Sequence, residues 1–223
     1  TTPRMGVLSA IETDCDWCGR LQGLALKNVA LTLKKGKKVL YSDLGEMLFT
    51  HFGVSGPLVL SASAYVKKSD YRLEIDLKPA LDDKKLDARL LRDFGEQHAK
   101  QISTVMRGLL PQAMVEPVLD KAGGAIDTKI SEITKVQRAA IVNALKRFDL
   151  TVTGLRPIEE AIITDGGVSL KEIDPKTMQS KLIDGLYFAG EIIDCAAYTG
   201  GYNLQIAFST AHSAAAAAAA SRR

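Results

Sequence analysis

The sequence predicts an α+β chain: a β-barrel-like lobe carrying an inserted helical lobe, followed by the strand and helix of an α/β domain. Three observations predict it. Apolar residues alternate with polar ones through Val29, Leu31 and Leu33, and again through Tyr71, Leu73, Ile75 and Leu77, the period of a half-buried strand. Between about residues 80 and 150 the apolar spacing turns helical. After Gly185 a short apolar run, Leu186–Ala189, stops at Gly190, and a loop ending in Thr199-Gly200-Gly201 leads into a long Ala-rich segment.

Taken in order, residues 21–79 form the first part of the β-rich lobe. The turn Lys34–Lys38 joins two strands as a hairpin, and Glu46–Thr50 reads as another strand. Ser55 is placed to cap a helix running through Tyr65. The helical lobe spans residues 80–149. Leu86, Leu90, Leu91 and Phe94 have helical spacing, as do Ile102, Val105, Met106 and Leu109. A segment over Gln112–Lys121 is interrupted by Pro117. Thr134 and Gln137 form a capping box, and the helix behind it sets Val136, Ala140, Ala144 and Phe148 along one stripe, with Ile141 and Leu145 beside them. Residues 150–182 return to strands, through Leu150–Thr153 and Ala161–Thr164, with Asp165-Gly166-Gly167 as a tight turn. Residues 183–223 hold the strand–glycine–helix unit, and residues 1–20 stand apart.

Composition excludes several classes. The chain has 223 residues, 46% of them hydrophobic and 25% charged, values of a globular protein. The net charge of +3 gives no bulk attraction for polyanions. No run of ~18 strongly apolar residues is present to span a bilayer, and no signal peptide is evident. The expectation is a cytoplasmic protein without membrane or nucleic-acid partners. The lysines of 34–38 read first as a solvated hairpin tip; weak polyanion binding through them is the alternative, opposed by the lack of interleaved aromatics to stack bases. Cys15 and Cys18 have the spacing of a zinc half-site or redox pair, but no second pair accompanies them, and Cys195, His51, His98 and His212 are scattered. No metal site is expected. Gly53-Val54-Ser55-Gly56 is not a nucleophile elbow, because Pro57 stands where that motif needs glycine.

A strand that feeds a glycine turn into a helix suits a phosphate or cofactor, because glycine lets backbone N–H groups approach a ligand and the helix start offers unpaired donors. The particular strings say more. GLYFAGE and TGGYNLQIAFSTA, with LQGLALKNVALTLKKGKKVLYSDLGEMLFTHFGVSGPLVLSASAYV over residues 21–66 and AIITDGGVSLKEIDPKTMQSKLIDGLYFAGE over 161–191, resemble the aminoacetone oxidase-like flavoproteins of the BaiN/YhiN type. The resemblance covers nearly all of the chain after Leu21. Ala197 stands where that family's D-x-x-G-x-T-G-G loop has its first glycine.

The resemblance implies an FAD-dependent oxidoreductase, with hydride passing through flavin N5 and the substrate unknown. FAD would be held by Gly190, Glu191, Asp194, Gly200, Gly201, Tyr202, Asn203, Leu204 and Gln205. Thr164, Gly166 and Gly167 would join them. Glu191 would accept from a ribityl hydroxyl, with Asp194 as a second candidate. NAD(P)H or a small-molecule substrate would be the further partner. The G-x-G-x-x-G turn that grips the pyrophosphate is missing: no two glycines in the chain stand two apart. The expectation is a fragment, the middle and C-terminal part of a flavoenzyme, inactive and colourless by itself and prone to self-association through residues 185–223. The other class left open is a partner- or substrate-binding module without flavin.

Overall fold

A computed structural model describes residues 1–67, 70–124 and 126–221. The elements in chain order are β1 (Thr2–Val7), β2 (Ile11–Asp14), β3 (Ala25–Lys35), β4 (Lys38–Thr50), β5 (Gly53–Ser55), α1 (Pro57–Ser63), β6 (Tyr71–Asp76) and α2 (Asp83–Glu96). They continue with α3 (Ile102–Met106), α4 (Gln112–Lys121), α5 (Lys135–Lys146), β7 (Phe148–Leu155), β8 (Ile163–Gly167) and α6 (Tyr202–Ala220). The chain divides into two compact units. One is Ile11–Gly154; the other combines Thr1–Ala10 with Leu155–Arg223.

The first unit is a closed six-stranded barrel in the order β2-β5-β4-β3-β6-β7, with the helices α2–α5 inserted between β6 and β7. Closure leaves no open sheet edge. Alternation fills the interior: Leu31, Leu33, Met47, Phe49, Leu73, Ile75 and Phe148 are fully buried, each on the inward phase of its strand. The helical insertion is stitched where it leaves and rejoins the barrel. Leu77 N–H donates to Leu145 O at 2.9 Å, and Lys146 Nζ lies 2.5 Å from Asp76 Oδ2 while donating to Lys78 O at 3.1 Å.

Local chemistry sets the helix ends. Asp82 accepts from Lys85 N–H at the start of α2, and Thr134 with Gln137 closes the expected capping box on α5. Several expectations are corrected. On α5 the expected Ala144, with Ile141 and Leu145 beside it, is buried together with Val142, but Val136 is 78% exposed. Phe148 belongs to β7, since Arg147 ends the helix and barrel pairing claims the next residue. Ser55 makes no cap; Gly56, at φ 91°, precedes Pro57, and the helix stops at Ser63. A Cβ at Gly56 would sit 3.0 Å from the Leu48 nitrogen, so close passage of β4, not side-chain capping, chose this residue.

In the second unit β1 and β8 form a two-stranded antiparallel sheet, with Gly6 opposite Thr164 and Thr2 opposite Gly167. Thus β8 lies outside the barrel, and Asp165-Gly166-Gly167 is a strand end and not a tight turn. Leu186–Ala189 is not a buried strand either. Leu186 is 37% exposed, and Tyr187 makes only an isolated bridge to Gln179. A strand needs a ladder partner along its length, and among the described residues this run has only that bridge, flanked by Ser180 N–H donating to Leu186 O and Phe188 N–H to Met178 O. The first twenty residues, which carried no expectation of structure, supply β1 and β2.

Two measurements test the packing. Ile141→Ala should cost about 2–5 kcal/mol in denaturant unfolding, whereas Val136→Ala should stay within about 0.5 kcal/mol. Lys146→Met should cost about 3–5 kcal/mol, because it strands the mostly buried Asp76 carboxylate.

Candidate functional site

The residues expected to meet a cofactor gather in the second unit. Beyond β8 the chain pairs in parallel with the segment after Gly190: Val168 N–H donates to Ile192 O at 2.8 Å and Asp194 N–H to Val168 O at 2.9 Å. Gly167, at φ 130°, lies against Ile192, and a side chain there would strike the Ile192 carbonyl. Gly166, at φ 93°, is pressed against the Pro3 carbonyl in the same way. The two glycines are therefore required by close backbone passage. Thr164, half-buried, sits one pair away in β8.

Gly190-Glu191-Ile192 forms a single 3₁₀ turn, with Gly190 at φ 76°. Gly190 N–H donates to Thr210 Oγ1 at 3.0 Å, and that hydroxyl donates to Ile206 O at 2.7 Å. The turn is thereby pinned to the second and third turns of α6. Glu191 is exposed and Asp194 half-buried. Thr210 was not anticipated: it stands 20 residues from its partner, a separation no local motif encodes.

Gly201 is the N-cap of α6, at φ 89° and without a side-chain cap, and Gly200 before it has φ 113°. A Cβ on Gly201 would meet no protein atom within 4 Å. The first N–H groups of the helix have no intrahelical partner, as at every helix start. Asn203 clamps the loop: its Oδ1 accepts from Ala197 N–H at 2.8 Å and its Nδ2 donates to Ala197 O at 2.9 Å. Ala197 keeps a negative φ, so the loop closes without the glycine that stands there in the resembled family. Tyr202, Leu204 and Gln205 are exposed; the Gln205 amide donates to Ser209 Oγ at 3.0 Å.

Two further features belong to this unit. A cavity of about 310 Å³ is walled by Ile173, Met178, Ile193, Cys195, Ile206 and Thr210. The helix α6 buries only Ala214, leaving Tyr202, Leu204 and Phe208 outward, Phe208 at 69% exposure.

In the barrel unit, Cys15 and Cys18 lie across one turn. Hydrogen bonding between them pushes the Cys15 thiol up, with burial adding to the effect, and holds Cys18 below its usual value. Thr13 Oγ1 lies 3.4 Å from Cys18 Sγ. Among the described residues no group of three or more His, Cys, Asp or Glu side chains could hold a metal ion. No described helix is long and apolar enough to cross a membrane.

Comparison with known proteins identifies the family. Residues 7–163 match the model described as HI0933-like protein barrel and H2TH domain. The chain is 34% identical over 204 residues to a ribosomal RNA dihydrouridine synthase of Haemophilus influenzae, covering 92% of this chain and 48% of that protein. It is 29% identical over 189 residues to a 3-dehydro-bile acid delta(4,6)-reductase of Clostridium scindens, covering 82% and 46%. A ribosomal RNA dihydrouridine synthase of Escherichia coli is 31% identical over 165 residues, covering 74% and 40%. The chain spans about half the length of these relatives. With a closed barrel, inserted helices and a model match across both, this chain belongs to the HI0933-like family, the flavoprotein family of the BaiN/YhiN type.

Proposed function

We propose that this chain supplies the barrel, the helical insertion and the C-terminal flavin-contacting segment, residues 183–223, of an FAD-dependent oxidoreductase that saturates a carbon–carbon double bond. The observation that carries the reading is the left-handed Gly201 at the uncapped start of α6, with open space where a side chain would stand. A flat ring can lie against backbone there, and helix N–H groups can stabilise negative charge on its edge. The residues present fit FAD on this ground. When bound, FAD supplies the hydride chemistry.

The chain's own residues then have separate tasks. Gly200, Gly201, Tyr202, Asn203, Leu204 and Gln205 present the helix start to the flavin. Asn203 sets the approach loop through Ala197. Glu191 and Asp194, beside the Gly190 turn, accept from ribityl hydroxyls. Thr164, Gly166 and Gly167 form the backing strand. Outward Tyr202, Leu204 and Phe208 give an apolar face, to the rest of the flavin domain or, in the isolated chain, to a second copy. The names of two relatives support the reaction class: dihydrouridine is uridine with its ring double bond reduced, and a delta(4,6)-reductase also acts on ring unsaturation.

The reading makes two measurable demands. Titrated with FAD by calorimetry and flavin fluorescence, the 223-residue chain should bind weakly and purify colourless; joined to a G-x-G-x-x-G unit it should bind tightly. In that complete protein Gly201→Val should lower flavin content, through about 1–2 kcal/mol of left-handed backbone strain and the side chain's intrusion. Unchanged flavin content and spectrum would make the turn merely structural. Asn203→Ala should speed amide exchange at Ala197 by about 2- to 12-fold, matching about 0.5–1.5 kcal/mol for one hydrogen bond to a half-buried group, and weaken FAD binding in the complete protein. Faster exchange with unaltered FAD affinity would remove the loop from the cofactor site.

A further inference from the structure

The lysines at the tip of the β3–β4 hairpin differ in one respect: which of them find a carboxylate. Pairing of β3 with β6 puts Lys34 opposite Arg72, and each has an acid. Glu74 Oε2 lies 2.8 Å from Lys34 Nζ, and Asp149 Oδ2 lies 3.6 Å from Arg72 Nη1. One residue on, pairing of β3 with β4 sets Lys35 directly opposite Lys38 across the turn Gly36-Lys37. Like charges placed across a ladder are destabilising, and among the described residues no carboxylate pairs with either.

This uncompensated pair forms one wall of a cleft of about 540 Å³. Leu40, Ala64 and Tyr65 just beyond α1, Lys67, and Tyr71 at the start of β6 complete it, and among the described residues none of its lining side chains is acidic. Tyr71 positions two of the lysines. Its buried ring lies 5.2 Å beneath Lys35 Nζ, and its hydroxyl accepts Lys67 N–H at 3.2 Å. Tyr65 is half-buried, with its ring 5.9 Å from that of Tyr41. The fold thus interleaves aromatics with a basic cluster whose linear sequence separates Tyr65 and Tyr71 from the hairpin by some thirty residues.

We infer that this cleft is a binding site for single-stranded polynucleotide, in which Lys35, Lys38 and Lys67 engage backbone phosphates and Tyr65 stacks a base. Ammonium groups act as point charges for phosphate. Aromatic faces among them are what single strands use, since every base offers a π-face. The lysines stand on separate segments around a cleft wider than one phosphate, and exposed Lys37 continues the charge beyond its rim, which favours a chain of phosphates over a lone anion. A flat lipid surface would leave the floor of a concave site untouched. The inference is independent of the flavin reading: every residue lies in the Ile11–Gly154 unit, and binding is measured without cofactor.

The test is fluorescence anisotropy of a labelled oligouridylate of about 12 nucleotides against the 223-residue chain. Three phosphate contacts on a single strand predict that log affinity falls with log salt at a slope of about 2, so a fourfold rise in salt weakens binding about 20-fold. Lys35→Gln, Lys38→Gln and Lys67→Gln should each lower that slope by about 0.7, whereas Lys84→Gln and Lys135→Gln, equal in charge change and remote in sequence, should leave it. Tyr65→Ala should weaken binding by about 5- to 150-fold, the worth of one stacked base, and Tyr65→Phe should restore it. Thermal unfolding of each variant separates a lost contact from a lost fold. Affinity unmoved in the triple lysine variant overturns the site. Equal competition by inorganic phosphate makes it a small-anion pocket and overturns the polynucleotide. Binding to phosphatidylserine vesicles with the same lysine dependence, and no binding to oligouridylate, overturns it in favour of a membrane surface.

Discussion

Pairing of β6 with β7 closes the barrel, and it joins strands separated by the whole helical insertion. Ile75 stands opposite Phe148 and Tyr71 opposite Val152. For a flexible connection of that length the loop-dependent part of the closure entropy is about 4 kcal/mol. Burying Phe148, Leu150 and Val152 returns about 1.5–3 kcal/mol each, so the closure stands on the apolar phase of β7. Geometry is fixed by the stitch at its base. Lys146 is held by Asp76 and by two carbonyls, those of Lys78 and Leu81, so the last turn of α5 delivers Phe148 to Ile75 in one register. A one-residue slip would turn Phe148, Leu150 and Val152 outward. The helices are thus an insertion in sequence and a clamp in structure.

Much of the barrel was legible because period-2 alternation is a direct record of which face is buried. Val29, Leu31 and Leu33 read correctly, as did Tyr71, Leu73 and Ile75, and the Thr134–Gln137 box located the start of α5 within a residue. The failures share a cause. Val136 and Phe148 fall on a plausible helical stripe, yet which stripe faces inward depends on what the helix packs against. Gly56 and Asp165-Gly166-Gly167 look like turn chemistry, but their glycines answer to passing backbone at Leu48, Pro3 and Ile192. Sequence carries propensity; it does not carry the identity of a neighbour such as Ile192 or Pro3, arriving from about twenty-five or a hundred and sixty residues away. The same holds for Tyr65 and Tyr71 around the lysine hairpin.

The C-terminal segment shows the reverse case, in which a motif was legible and its internal support was not. Glycines at 190, 200 and 201 all take positive φ, as a close-approach loop requires. What holds that loop is Asn203 on Ala197 and Thr210 on Gly190. Asn203 was expected at the flavin and Thr210 carried no expectation, and neither residue's local sequence encodes the loop contact it makes. Ala197 explains itself in the same geometry. Two hydrogen bonds from one amide side chain fix its backbone at negative φ, so no glycine is needed.

Magnitudes decide what the start of α6 contributes to ligand binding. A helix N-terminus favours an adjacent negative charge by about 0.3–1 kcal/mol when exposed and about 2 kcal/mol when partly buried. Micromolar affinity needs about 8 kcal/mol. An exposed turn with one open face, as at Gly201, therefore cannot hold a dinucleotide by electrostatics alone. It can bias which edge of a ring faces the helix, because orientation is settled by differences of 1–2 kcal/mol, about a factor of 5–30. Under the proposed function the division of labour follows: affinity comes from a phosphate grip supplied elsewhere in the protein and from apolar contact, while Gly200 to Gln205 set orientation and charge stabilisation. Under the same proposed function the exposed Tyr202, Leu204 and Phe208 would contribute more to holding a ligand or partner than the glycines beside them. Each offers about 1.5–3 kcal/mol on burial, and together they outweigh the dipole that makes the turn conspicuous.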